Sequence, residues 1–261
     1  TVVIALSLPL NPAPLVMGLV MFSVYLGDRV GDIEDEESAT AERQQFFKRH
    51  KTKLSVLSAG AYGVAIGIGV YGGPVSLLLT LIPGVFWMLY ATELLPSISG
   101  TLKRVKSVLV VNSAFVSLAW TIPLVFLPLS FTEQSLSPAA AVVFVYFVLD
   151  FFINTEIPNV RDIEEDKANG VSTIPVVFGV KRTRRILYAL DIFLLTFLAI
   201  AFVNGVLSVA FAGATIVGTV YALVITGFVG RTDDYGKLTL LGESKQFFIG
   251  AFLVIVSIVP L

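Results

Sequence analysis

The sequence predicts an all-α fold, a polytopic bundle of membrane-spanning helices, and three observations predict it. Hydrophobic residues make up 56% of the 261 positions and charged residues only 14%, too little polar surface to coat a soluble globule of this size. Mean hydropathy is +0.86. The apolar runs are about twenty residues long, the length a helix needs to cross a hydrocarbon core, whereas barrel strands would be half as long and would alternate.

Eight spans are expected, near residues 11–31, 54–73, 75–96, 107–127, 137–156, 185–204, 206–229 and 245–261. Thr1 to Leu8 is also apolar and stops at Pro9, with Pro12 and Pro14 following, so it reads as the tail of a ninth helix cut off upstream. No short apolar stretch follows a basic start, which argues against a signal peptide. Pro158 is expected to end the fifth span.

Threading these spans back and forth puts 28–53, 97–106, 157–184 and 230–244 on one face, and the links near Gly72, Leu127 to Pro138 and Asn204 on the other. All 18 Lys and Arg residues fall in or next to the first set, while the opposite face keeps only Glu133. By the positive-inside rule the first face is cytoplasmic, and the expected location is the cell membrane. The net charge of −1 hides this asymmetry and gives no support to a nucleic-acid partner. With no Cys, disulfides, thiolate metal sites and Cys nucleophiles are excluded together.

Two acid-rich clusters sit at the ends of apolar segments: Asp28, Asp32, Asp35 and Glu36 in the first, Asp162, Glu164, Glu165 and Asp166 in the second. Asp28 and Asp32 are four apart, so on a helix their carboxylates share a face, and Asp162 and Asp166 repeat the spacing. Like charges at that distance repel unless a cation sits between them. Carboxylates without His or Cys suit a hard ion such as Mg²⁺, held by one or two protein oxygens while phosphate oxygens complete the octahedron. The pairs would then face each other across a cavity, one from each half of the chain. The plain alternative is a solvated acidic linker at each span end, paired with Arg29, Arg43, Arg161 and Lys167; two clusters of the same spacing and sidedness weigh against it.

Glu93, Asp150 and Asp191 interrupt apolar runs, and intramembrane carboxylates are candidates for function by default. Asp150 would orient or deprotonate an acceptor. Glu93 is near enough to a span end to snorkel, and Asp191 is expected to pair with a neighbouring helix. The sole His50 lies in the basic run Lys48 to Lys53, which reads as a lipid-headgroup patch rather than a catalytic one.

The run Asp162-Ile-Glu-Glu-Asp166-Lys-Ala-Asn-Gly170-Val-Ser-Thr173-Ile-Pro175 resembles the second motif of the UbiA superfamily of intramembrane prenyltransferases, Asp-x-x-x-Asp with its Gly and Thr-Leu-Pro-Val sequel. Asp28 and Asp32 match the two aspartates of the family's first motif, Asn-x-x-x-Asp-x-x-x-Asp, but its Asn position is Val24. Lys103 and Arg104 are similar to a basic stretch of the family that helps bind diphosphate. The resemblance implies one transmembrane domain over 1–261, with halves of about 1–127 and 128–261 that carry one motif each. It also implies nine helices around a central cavity open to the cytoplasm.

The activity that the resemblance implies is that of a Mg²⁺-dependent transferase, moving a polyprenyl group from its diphosphate to an aromatic or lipid acceptor. Asp28, Asp32, Asp162 and Asp166 would hold the metal; Lys103, Arg104 or Arg43 would stabilise the departing diphosphate. Tyr25 and Tyr146, with Phe22, Trp87, Tyr90 and Phe147, are candidates to stabilise an allylic cation, with ordinary helix packing the rival account of each. Two other functions fit the same residues: a terpene cyclase of this superfamily that needs no acceptor, and a non-catalytic membrane protein.

Overall fold

The computed structural model describes residues 1–31, 41–91, 111–168 and 170–258. These residues form eleven helices: α1 (Val2–Ala5), α2 (Ala13–Gly31), α3 (Ala41–Tyr71), α4 (Gly73–Ala91), α5 (Val111–Phe131), α6 (Pro138–Arg161), α7 (Ile163–Ala168), α8 (Ile174–Phe178), α9 (Val180–Val203), α10 (Val209–Phe228) and α11 (Tyr235–Ile258). Seven are long and apolar enough to cross a membrane, and Gly73–Met88 within α4 is a shorter apolar helix. Each expected span falls on one of these eight. The protein is an integral membrane protein, and its apolar surface agrees: Val56, Val64, Phe247 and Phe248 are all more than half exposed.

Three expected boundaries are corrected. Helix α3 begins at Ala41, not near residue 54, because the basic run Lys48 to Lys53 consists largely of good helix formers that extend the span into water. Helix α11 begins at Tyr235, not near 245, because Asp234 caps it: Asp234 Oδ1 accepts the Lys237 N–H at 3.0 Å. Helix α6 runs through Pro158 to Arg161, so Pro158 removes one backbone donor without ending the helix.

The chain divides into two compact units. The first comprises Thr1–Leu8, Leu94–Thr121 and Leu136–Leu261. In it α6 presents Ile153, Ile157 and Val160 at helical spacing to a core completed by Leu187 of α9, Ile225 of α10, Val229 and Leu238 of α11. Ser137 starts α6 by accepting the Ala140 N–H at 3.1 Å, with Pro138 at the first helical position. Asp191 of α9 accepts the Thr226 hydroxyl of α10 at 2.7 Å, the interhelical pairing expected of it.

The second unit comprises Pro9–Glu93 and Ile122–Ser135. Its main interface joins α2 to α3 through a reciprocal pair of hydroxyls: Ser23 donates to the Ser58 carbonyl at 2.7 Å and Ser58 donates to the Ser23 carbonyl at 2.8 Å. Lipid tails are as apolar as a leucine, so burial alone does not join helices in a bilayer. Small residues that let backbones approach and hydroxyls that bond across the interface do.

Candidate active site

The second acidic cluster lies wholly in the first unit, where α6 hands over to α7. Asp162 is the C-terminal cap of α6, with its N–H on the Pro158 carbonyl at 3.2 Å. The Asp166 N–H donates to the Asp162 carbonyl at 2.8 Å, which sets the two carboxylates one helical turn apart on one face, as the spacing predicts. Arg161 grips Asp162 side-on, Nε to Oδ1 at 2.5 Å and Nη2 to Oδ2 at 2.9 Å. The Thr173 hydroxyl donates to Asp166 Oδ2 at 3.2 Å.

Gly170 makes that last contact reachable. The Val171 N–H bonds back to the Asp166 carbonyl at 2.8 Å and the Gly170 N–H to the Lys167 carbonyl at 3.2 Å, the paired bonds of a Schellman turn. Such a turn needs a left-handed residue, and Gly170 has φ +68°. The chain therefore reverses after α7 and brings Thr173 over Asp166.

Burial pushes the Asp166 carboxyl up from the usual carboxylate range; the Thr173 hydroxyl pulls it back, while the charges of Asp162 and Glu165 push it up further. Two acids one turn apart, with no His or Cys beside them, suit a hard divalent cation. Among the described residues no group of three or more His, Cys, Asp or Glu side chains could hold a metal. Mg²⁺ commonly takes only one or two protein carboxylates and keeps waters and phosphate oxygens as its other ligands.

In the second unit Asp28 stands on the last turns of α2, half-buried, and accepts the Trp87 indole N–H of α4 at 3.2 Å. Gly27 permits this approach, since a Cβ there would meet the Trp87 ring at 3.2 Å. Val24, one turn earlier, is half-buried, and Tyr25 is 53% exposed. Asp32, Asp35, Glu36, Glu93, Lys103 and Arg104 lie outside the described residues, as do the side chains of Arg43 and Tyr90.

Asp150 and Tyr146, both on α6, form a cluster away from these acids. Asp150 Oδ1 accepts the Lys245 ammonium of α11; Oδ2 accepts the Gln246 amide at 2.6 Å and the Asn154 amide at 3.3 Å. Gln246 also donates to the Tyr146 hydroxyl at 3.2 Å. Tyr146 is fully buried against Phe147 and Phe211, so ordinary packing accounts for it. Asp150 thus has a cation and two amides on its oxygens.

Two buried charged residues are not evident from hydropathy. The expected spans put Lys245 at the edge of a cytoplasmic segment, but it sits 1% exposed inside α11; Asp234, an N-cap residue type just ahead of that helix, is the start signal that places it there. Glu156 is completely buried on α6 and accepts the Ser113 hydroxyl of α5 at 2.6 Å. An acid at the end of an expected span carries no sequence signal of such burial.

The sequence profile described as the UbiA prenyltransferase family matches residues 47–252. No curated protein matches significantly. Among solved structures, a UbiA homologue from Archaeoglobus fulgidus bound to GPP and Mg²⁺ superposes with a TM-score of 0.61 at 15% identity, covering 93% of this chain and 88% of that one. A UbiA homologue from Archaeoglobus fulgidus bound to DMAPP and Mg²⁺ gives 0.59 at 14% identity over 94% and 88%. A digeranylgeranylglyceryl phosphate synthase structure gives 0.57 at 13% identity over 97% and 88%. At these identities the likeness is one of fold.

Proposed function

Because the chain belongs to the UbiA prenyltransferase family, we propose that it moves a polyprenyl group from its diphosphate to an aromatic or lipid acceptor within the membrane. The observation that carries this reading is the second acidic cluster: Asp162 and Asp166 one turn apart, with Asp166 held by Thr173 across the Gly170 turn. A solvated linker has no need of that anchoring. The structural relatives bound to GPP or DMAPP with Mg²⁺ support the same class of substrate and ion.

In this reading Asp162 and Asp166 hold Mg²⁺, and Asp28 with Asp32 form the other carboxylate pair. Mg²⁺, when bound, neutralises the diphosphate and makes it a better leaving group. Arg161, beside Asp162, offers a fork of donors for the same anion, and Lys103, Arg104 and Arg43 are further cations for it. The allylic C–O bond breaks with its electron pair on the diphosphate oxygen. The prenyl cation then bonds to a nucleophilic atom of the acceptor, which loses a proton. Tyr25 is a candidate to face that cation. The site opens to the cytoplasmic side of the cell membrane, where the basic segments gather.

The test is incubation of the purified protein with Mg²⁺ and geranyl, farnesyl or geranylgeranyl diphosphate, with and without quinone precursors or glycerolipid acceptors. Prenylated acceptor supports the proposal. A cyclised product formed without acceptor replaces it by a cyclase, and absence of diphosphate release under every condition overturns it.

A further inference from the structure

Trp87 of α4 donates its indole N–H to Asp28 Oδ1 of α2 at 3.2 Å, across 59 positions of sequence and within one compact unit. Among the described residues it is the one side chain that bonds to Asp28, and Oδ2 has no such partner. The approach is built into α2. Gly27, the residue before Asp28, leaves room for the indole: a Cβ there would meet Trp87 Cη2 at 3.2 Å and Cζ2 at 3.3 Å, with the Ser58 hydroxyl of α3 at 3.5 Å. One turn earlier, Ser23 and Ser58 exchange hydrogen bonds with each other's carbonyls and hold α2 against α3. Both neighbouring helices thus pack on α2 within one residue of Asp28. The chemistry of the donor decides what the contact can do. An indole has one N–H, no acceptor and no charge. It fixes one carboxylate oxygen, and with it the orientation of the group, without neutralising it. The Arg161 guanidinium on Asp162 is the opposite case, a cation on both oxygens. Val24, one turn before Asp28 on the same face, has no polar side-chain atom to offer.

We propose that Trp87 is a positioning residue for Asp28: its N–H holds one oxygen of the carboxylate and leaves the other, with the full negative charge, for a divalent cation. The assignment rests on the reading of Asp28 as a metal-holding carboxylate. Outer partners of this kind orient a ligand without touching the ion. The N–H of Trp87, rather than its ring face, is then what the site uses.

The experiment compares the whole wild-type chain with W87F and D28A in nanodiscs. It measures Mn²⁺ affinity by electron paramagnetic resonance and the indole N–H resonances of isotope-labelled tryptophan by nuclear magnetic resonance. The chain has two tryptophans, so the resonance lost in W87F is that of Trp87. D28A is expected to move that resonance and to speed exchange of its proton with water, because the acceptor is gone. W87F, whose ring keeps most of the packing but donates nothing, is expected to weaken on the order of 10- to 100-fold the Mn²⁺ binding that D28A abolishes, as loss of an outer-shell partner does elsewhere. Its thermal midpoint should stay close to wild type. Unchanged Mn²⁺ affinity in a folded W87F would make Trp87 a packing residue only and overturn the proposal. Should W87F not fold, a Trp87 resonance that D28A leaves in place would overturn it equally. A D28A chain that binds Mn²⁺ no differently from wild type sinks the metal reading of Asp28 instead, and the resonance then still decides whether Trp87 holds that carboxylate.

Discussion

Lys245 of α11 and Asp150 of α6 form an ion pair in which both side chains are closed off from solvent, 1% and 2% exposed. Loss of either partner strands the other charge inside a membrane protein. Lys245→Met and Asp150→Leu should each lower stability by about 3–5 kcal/mol, whereas the double variant should recover most of that loss. Denaturant unfolding in mixed micelles measures it. Double-variant stability no better than the singles would show that the pair is not what joins α6 to α11.

Asp166 is half-buried on a short helix outside the spans, so its removal should affect chemistry far more than folding. Asp166→Ala should cut Mg²⁺-dependent diphosphate release by at least about 100-fold, the scale of losing one preorganised electrostatic group. The thermal midpoint should stay close to wild type. Full turnover would remove Asp166 from the metal site.

At Gly170, φ is +68°, a conformation that a Cβ disfavours. Gly170→Ala should cost about 1–2 kcal/mol, and by shifting the turn it should raise the Mg²⁺ concentration needed for half-maximal rate. Titration of activity against Mg²⁺ separates this from a change in the rate at saturation. An unchanged Mg²⁺ dependence would show that the turn tolerates a side chain without disturbing Asp166.

A pH effect is expected at the start of α11. The Lys237 ammonium at 2.8 Å and then the Lys237 N–H hold the exposed Asp234 carboxyl below the usual carboxylate range. Its folded value lies below the unfolded one, so the cap contributes stability above the unfolded value and loses it as pH falls through the folded value. Hydrogen exchange over residues 236–239 should quicken across that acidic window. Asp234→Asn, itself a good cap, should keep the helix start and abolish this pH dependence.

The spans and the second acidic motif are legible in the sequence because both are local: hydropathy over one helix, and two acids four residues apart. The starts of α3 and α11 are not, since hydropathy marks where lipid begins, while a helix begins at its cap or continues through residues such as Lys48 to Lys53. The burial of Lys245 is hidden for the same reason, because a lysine counted as a loop residue needs no partner. The reciprocal bonds of Ser23 and Ser58, like the link from Ser113 to Glu156, join residues 35 and 43 positions apart, and no periodicity pairs them.

The grip of Arg161 on Asp162 bears on how the site fills. The Asp162 carboxylate already has its own neighbour's guanidinium on both oxygens. If Asp162 holds a divalent ion as proposed, that ion would share or compete for the same two oxygens with the guanidinium. In that reading Arg161, one residue from Asp162 along the chain, would stand beside whatever anion the ion carried.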